Sequence, residues 1–368
     1  MGKPMRALGL MSGTSGDGID IALIETDGEL ALRRGPSGTV AYDKAFRTRL
    51  AQAMADARGV AARHERPGCL AEVERDLTQR HAIAVQQFLA EQKLEPSAVD
   101  VAGFHGHTVL HAPERRLTVQ IGDGAELARR IGIDVVYDLR AADFAAGGQG
   151  APLVPVYHRA LAARLPERPV AIVNIGGVAN VTWIGRDGSL IAFDTGPGNA
   201  LIDDWMLRHG GRAVDEDGAA AAAGTVDEAA LSALFRNDHF GRLPPKSLDR
   251  NAFSAAAVAH LGAQDGAATL TAFTAAAIAR AVEHFPEAPQ LWLVSGGGRR
   301  NRTLMSMIAA RVTSAVAPAE AAGIDGDAVE AEAWAYLAVR SLAGRPLTFP
   351  GTTGVPKPLS GGLLAKAV

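Results

Sequence analysis

The sequence predicts an α/β protein built as two similar lobes, on three observations. Strand-like and helix-like stretches alternate along the chain, a pattern that favours layered α/β architecture. A strand, a glycine-containing turn and a second strand open this pattern at Met5 and open it again at Val170. The length of 368 residues, set against about 150 per domain, leaves room for two cores.

Met5 to Met11 reads as the first strand, and the polar turn Ser12 to Gly18 leads to a second, Ile19 to Thr26. Helices are expected over Lys44 to Arg58 and Ala71 to Gln92, where Leu77, Ile83, Ala84 and Phe88 recur near helical spacing. Val99 to Phe104 and Thr118 to Ile121 read as buried strands, Asp123 to Ile131 as a helix and Asp134 to Tyr137 as a strand. Ala141 to Pro155 reads as a loop, and the lobe boundary is placed near residues 139 to 155, giving lobes of 1–140 and 141–368. A helix near the C-terminus could pack back on the first lobe. In the second half, Val170 to Ile175, Asn180 to Ile184 and Leu190 to Phe193 are strands joined by Gly176-Gly177 and by the turn Arg186 to Ser189. Helices are expected near 200–209, 227–236, 268–284, 301–311 and 328–342, with a buried strand over Leu291 to Val294. The alanine run Ala219 to Gly224 reads as a helix or a surface segment.

Composition excludes several functions. Lys and Arg number 37 against 40 Asp and Glu, a net charge of −3, so nothing favours a nucleic-acid or anionic-membrane partner. No segment approaches the roughly 20 apolar residues of a membrane span, and no signal-peptide pattern precedes the first strand. A single cysteine, Cys69, cannot form an intramolecular disulfide. A cytoplasmic protein is the expectation.

Glycine, at 41 residues, clusters at the ends of strands. Three clusters are candidate sites. Ser12-Gly13-Thr14-Ser15-Gly16-Asp17-Gly18 combines backbone N–H groups, small hydroxyls and a carboxylate, which suits phosphate and hydrated Mg²⁺; a glycine-rich hairpin turn is the alternative. It lacks the lysine and spacing of a P-loop. Phe193-Asp194-Thr195-Gly196-Pro197-Gly198-Asn199 delivers a carboxylate at a strand end and turns into a helix whose first N–H groups could receive an anion. Asp194 as a turn or cap residue is the alternative. Ser295-Gly296-Gly297-Gly298-Arg299-Arg300-Asn301 again ends a strand with glycines, where backbone could approach a base or ribose, or merely turn. His105, His107 and His111 have the spacing of a zinc site but no acidic or cysteine ligands nearby. Cys69 reads as a plain thiol, and Arg299, Arg300 and Arg302 as a helix start or a nucleotide-side contact.

Taken together and in this order, the three clusters resemble those of the sugar kinase and actin superfamily, and more closely the anhydro-N-acetylmuramic acid kinase family. The resemblance rests on Gly9 to Ser15 with Asp17 to Asp20, Gly103 to Gly106 with Thr108 to His111, and Gln120 to Gly124. It continues through Arg140 to Asp143 with Gly147 to Pro155, Asn174 to Asn180, Phe193 to Asn199 and Ser295 to Asn301. Gly16 stands where the family usually has leucine and His107 where it has glutamine, and Lys246-Ser247-Leu248-Asp249-Arg250 only partly follows the family's Lys-Ser-Thr-Gly-Arg string.

The resemblance implies two RNase H-like lobes with a cleft between them, as in actin-like ATPases and sugar kinases. It implies ATP-dependent conversion of 1,6-anhydro-N-acetylmuramic acid and water to N-acetylmuramic acid 6-phosphate and ADP, in the recycling of cell-wall sugar. Asp194 matches the general base. Ser12, Gly13, Thr14, Ser15, Gly16, Asp17, Gly18, Ile19, Asp20, Gly176, Gly196, Gly198 and Asn199 are implied around the ATP phosphates, with Asp17 holding Mg²⁺ through water. Ser295, Gly296, Gly297, Gly298 and Asn301 are implied around the adenosine, and Arg140, His105, Asn180 and Glu330 around the sugar. Glu330 could equally belong to a solvated helix face. The partners implied are ATP, the sugar and a second copy of the chain in a homodimer. The competing readings are a kinase for another sugar or small carboxylate, and a nucleotide-binding module of the actin or heat-shock chaperone kind.

Overall fold

The computed structural model describes residues 2–13, 16–248 and 252–367. The chain divides into two compact units, Met1–Ala163 with Ala328–Val368, and Arg164–Asp327. The first unit therefore runs past the 139–155 boundary, because Ala141 to Pro155 is not one loop. It carries one short helix, Ala141–Ala145, and the first residue of a second, Pro155–Ala162, both within the first unit.

In the first unit β1 (Met5–Ser12), β2 (Gly18–Thr26) and β3 (Leu32–Ala41) form an antiparallel meander. Helices α1 (Lys44–Asp56) and α2 (Leu70–Glu91) lead to β4 (Val101–Ala112), which lies parallel to β1 on the side away from β2. β5 (Leu117–Ile121) folds back on β4, and α3 (Gly124–Ile131) returns the chain to β6 (Val135–Tyr137), parallel to β4. α4 (Ala141–Ala145) and α5 (Pro155–Ala162) follow. Asp143 fastens this stretch from inside, Oδ1 accepting from the Gly150 N–H at 2.6 Å and Oδ2 from the Thr353 hydroxyl at 2.6 Å. α1 starts at Asp43, whose carboxylate accepts from the Phe46 N–H, and its apolar face, Phe46, Leu50 and Ala53, is buried in a core that includes Leu8, Ile19, Leu77 and Phe104.

The second unit repeats the plan. β7 (Val170–Ile175), β8 (Val178–Ile184) and β9 (Leu190–Pro197) form a meander, and β10 (Leu291–Ser295) and β11 (Ala315–Pro318) add in parallel beside β7. Between β9 and β10 come α6 (Ala200–Gly210), α7 (Ala219–Ala222), α8 (Glu228–Leu234) and α9 (Ala263–Ala279), and α10 (Arg302–Ala309) joins β10 to β11. An uncharged stretch, Ala267 to Ala279, forms most of α9 and is buried in this unit. No helix among the described residues is long and apolar enough to cross a membrane.

The chain then returns to the first unit through α11 (Val329–Leu342), α12 (Pro350–Thr353) and β12 (Leu363–Ala365), which pairs with β6. α11 lies across β1, β2 and β4. Glu332 on this helix is fully buried, its carboxylate bonded to Arg34 and to the Tyr157 hydroxyl, so the helix does not present residues 330–332 as a solvated face.

Candidate active site

The turn after β1 is tied down by a residue sequence reasoning missed. Tyr42 donates its main-chain N–H to the Asp17 carbonyl at 2.8 Å and its hydroxyl to Ser12 Oγ at 2.9 Å, gripping both flanks of the turn. Burial raises the Tyr42 phenol well above its ordinary range, so it stays a donor. Ser12 is wholly buried, and its Oγ also lies 3.0 Å from His107 Nδ1; the hydroxyl is thus engaged inside the protein, and the side chain anchors the loop rather than lining it. Gly16 sits at φ +64°, where glycine carries no Cβ penalty, and its N–H bonds the Gly13 carbonyl at 3.0 Å. Asp17 is exposed, Gly18 opens β2, Ile19 is a core residue, and Asp20 accepts from the Thr39 hydroxyl at 2.6 Å. Thr14 and Ser15 lie outside the described residues.

Three of the four sugar candidates gather in the first unit. His105 Nδ1 is 2.9 Å from the Gly106 carbonyl, which can only accept, so this nitrogen carries the proton and Nε2 is the acceptor. Arg140 donates to that Nε2 from Nε at 3.3 Å and from its Nη2 at 3.2 Å, and to the Gly150 carbonyl at 2.8 Å. The His105 ring packs on Trp334 of α11 at 4.5 Å, and the Arg140 guanidinium lies 5.5 Å from the same indole. Burial, and then the adjacent Arg140 charge, push His105 well below its usual range. Burial lowers Arg140 to about 10, against the attraction of Glu330 and Asp143. Glu330 is half-buried at the start of α11. Asn180 belongs to the second unit, on β8, directly opposite Asp194 on β9.

Asp194 does not end its strand. β9 continues to Pro197, but the register shifts between Asn180 and Ala179, so Thr195 is an extra residue and the strand bulges just beyond the carboxylate. The segment Asp238 to Leu248 then wraps the residue. The Asp194 N–H donates to the Lys246 carbonyl at 2.9 Å, its carbonyl lies 2.8 Å from His239 Nε2, and Oδ2 accepts the Leu248 N–H at 2.7 Å. The side chain is half-buried. Loss of hydration pushes its carboxyl up from the ordinary 3.8 to about 7, the Leu248 N–H opposing.

The helix start after β9 differs from expectation. The N–H groups of Gly198, Asn199 and Ala200 donate to the carbonyls of Gly177, Gly176 and Gly177, so they join two turns instead of standing free for an anion. The approach is so close that a Cβ on Gly198 would lie 2.3 Å from the Gly176 oxygen. A Cβ on Gly196 would lie 2.9 Å from the Ala277 Cβ on α9.

At the third cluster, Ser295 is buried with its hydroxyl on the Val173 carbonyl, and Gly296 turns at φ +73°. Gly297 to Arg300 form a tight turn, and Asn301 caps α10, accepting the Leu304 N–H at 2.8 Å. Arg299 is held by Glu320 and Asp327, and Arg300 by Asp327. Neither is part of an open basic surface. His105, His107 and His111 make separate hydrogen bonds along β4, and no group of three metal-ligating side chains occurs among the described residues.

Two α/β units of one strand plan, with glycine turns at the ends of their central strands, make the two-lobed class of fold expected for actin-like ATPases and sugar kinases. Within that class, residues 5–366 match the anhydro-N-acetylmuramic acid kinase family, and the chain belongs to it. The anhydro-N-acetylmuramic acid kinase of Paramagnetospirillum magneticum is 57% identical over 361 residues, covering 97% of this chain and 99% of that protein. That of Methylobacterium nodulans is 54% identical, covering 98% and 100%. A solved activator of 2-hydroxyisocaproyl-CoA dehydratase from Clostridium difficile aligns over 92% of this chain and 97% of its own at 12% identity, with a TM-score of 0.45.

Proposed function

We propose that this chain opens and phosphorylates 1,6-anhydro-N-acetylmuramic acid with ATP and water, releasing N-acetylmuramic acid 6-phosphate and ADP, a step of murein recycling. The observation that carries the reading is the setting of Asp194: one carboxylate oxygen is held by the Leu248 N–H, and the carboxyl is poised near neutral pH.

In the reaction, water attacks C1 of the sugar and gives its proton to Asp194. The C1–O6 bond breaks with its electron pair on O6, and O6 attacks the γ-phosphorus as ADP leaves. Opening the ether creates the nucleophile where the phosphoryl group waits, so alignment supplies much of the rate. The amides and hydroxyls of Gly13, Thr14 and Ser15 bind the phosphates, with Gly16 and Gly18 shaping the turn that presents them, and positioning and charge stabilisation do most of the catalysis. Gly176, Gly196, Gly198 and Asn199 shape the turn beside β9, and Ser295 to Gly298 with Asn301 receive the adenosine. Arg140 pairs with the lactyl carboxylate, with His105, Glu330 and Asn180 as further sugar contacts. Asp17, an exposed hard-oxygen donor, fits Mg²⁺ held through its water shell, and the ion when bound would neutralise phosphate charge. The reading extends to a cytoplasmic homodimer, which sedimentation of the purified protein checks.

Turnover in ¹⁸O-water tests the reaction. Label at C1 together with phosphate on O6 supports it, whereas phosphate transfer without label would show simple kinase chemistry.

A further inference from the structure

Lys246 is buried behind Asp194, not exposed beside it. Its Nζ donates to the His239 carbonyl at 3.2 Å and lies 3.3 Å from His284 Nε2, and it stands 5.4 Å from the centre of the Phe193 ring. The two ends of the wrapping segment, His239 and Leu248, are the groups that hold the Asp194 carbonyl and Oδ2. Lys246 lies between them and reaches back to the first, so its ammonium closes the segment into a loop around one aspartate.

We propose that Lys246 is a positioning residue for Asp194: it fixes the His239–Leu248 segment so that Oδ2 is tied and Oδ1 is the oxygen presented to the attacking water. This rests on Asp194 as the proton acceptor.

The energetics favour a positional role. A buried ammonium is costly unless an anion pairs with it. Here its hydrogen-bond partners are a main-chain carbonyl and an imidazole, while the nearby Glu283 is held by Arg280 at 3.0 Å. Burial accordingly lowers the Lys246 pKa. His239 is fixed too: a carbonyl can only accept, so Nε2 carries the proton and Nδ1 is a bare, buried lone pair without a partner among the described residues. Burial pushes His239 down to about 4, so it stays neutral. The charged and titratable groups facing this corner are Lys246, His239, Arg242, Arg280, Glu283 and His284.

The test compares wild type with Lys246→Met, Lys246→Arg and Asp194→Asn, measuring kcat and KM for both substrates from pH 5.5 to 9, with folding followed by circular dichroism. Lys246→Met is expected to lower kcat by about 10- to 100-fold, the scale of a misplaced reacting group, with the KM for ATP unchanged. Loss of a firm Leu248 contact should also move the acidic limb of kcat up by about one pH unit. Lys246→Arg, which keeps a charged donor, should recover most of both. Near-normal kcat and an unmoved limb in Lys246→Met would overturn the proposal, as would a loss that Lys246→Arg fails to recover. Should Lys246→Met not fold, His284→Leu, which removes one partner of Nζ, must move the limb in the same direction, and an unmoved limb there overturns it. Near-normal turnover in Asp194→Asn would instead sink the role of Asp194 itself, so the two failures are distinguishable.

Discussion

Nε of Arg34 on β3 meets Oε1 of Glu332 on α11 at 2.6 Å, joining the edge of the first sheet to a helix 298 positions further along the chain. The second carboxylate oxygen accepts the Tyr157 hydroxyl at 2.7 Å, so α5 is tied to the same residue. Removing one partner of a buried pair costs about 3–5 kcal/mol, because the other group is left without a counter-charge. Glu332→Ala is therefore expected to lose about 3 kcal/mol in urea unfolding. A loss under about 1 kcal/mol would show that the pair is replaceable by water.

Asp194 must be ionised to accept a proton. Its carboxyl stands at about 7, so kcat should rise with pH through that value and level off above it. Asp194→Asn should lower kcat by about 10²- to 10⁴-fold and leave ATP affinity, read by calorimetry, nearly unchanged. A flat profile between pH 6 and 8 would contradict the assignment.

The same shift bears on stability. A carboxyl raised from 3.8 to about 7 in the folded state favours folding below pH 4, and that advantage is lost as pH rises from 4 to 7. At pH 8 the wild type holds a poorly hydrated charge that Asp194→Asn lacks. The variant should be the more stable there, on the order of 2–4 kcal/mol, with the difference shrinking towards pH 4. Thermal melts at pH 4, 6 and 8 read this directly, and a difference that grows on acidification would reverse the sign.

Arg140→Met should raise the KM for the sugar about 10- to 100-fold, as expected for a lost charge-assisted contact, and leave the KM for ATP alone. An analogue without the lactyl carboxylate should bind wild type and variant nearly alike. If both proteins lose affinity for that analogue equally, Arg140 serves some other part of the sugar.

Tyr42→Phe removes the hydroxyl that holds Ser12 while keeping the main-chain bond to Asp17. Loss of one buried hydrogen bond, about 1 kcal/mol, should weaken ATP binding about fivefold. Isothermal titration with a non-hydrolysable nucleotide measures the change, and unaltered binding would mean the loop keeps its shape without this anchor.

Much of the frame was legible because the central strands are buried on both faces and read as continuous apolar runs, as in Val170 to Ile175. β3 was not, since Leu32–Ala41 is a largely exposed edge strand carrying Arg33, Arg34, Gly35 and Pro36, and nothing in its pattern alternates cleanly. The three glycine clusters were visible as strings, yet their hydrogen bonding was not. The amides of Gly198 to Ala200 are engaged by a turn some 20 residues earlier, a long-range pairing that no local pattern encodes. Tyr42 and His239 escaped notice for a similar reason: each acts through a partner distant in sequence, Ser12 in one case and the carbonyl of Asp194 in the other. Lys246 stood in a recognisable string, but its burial and inward-facing ammonium required coordinates.

The return of α11 to the first unit has a consequence for biosynthesis. Residues 164–327 form an uninterrupted unit whose every residue is translated before α11, so their core needs nothing made later. The unit begun first is finished last: β1, β2 and β4 wait for a helix encoded more than 200 codons after them. Until then the apolar face meant for α11 is uncovered, and the nascent chain is at that stage a natural client for chaperones.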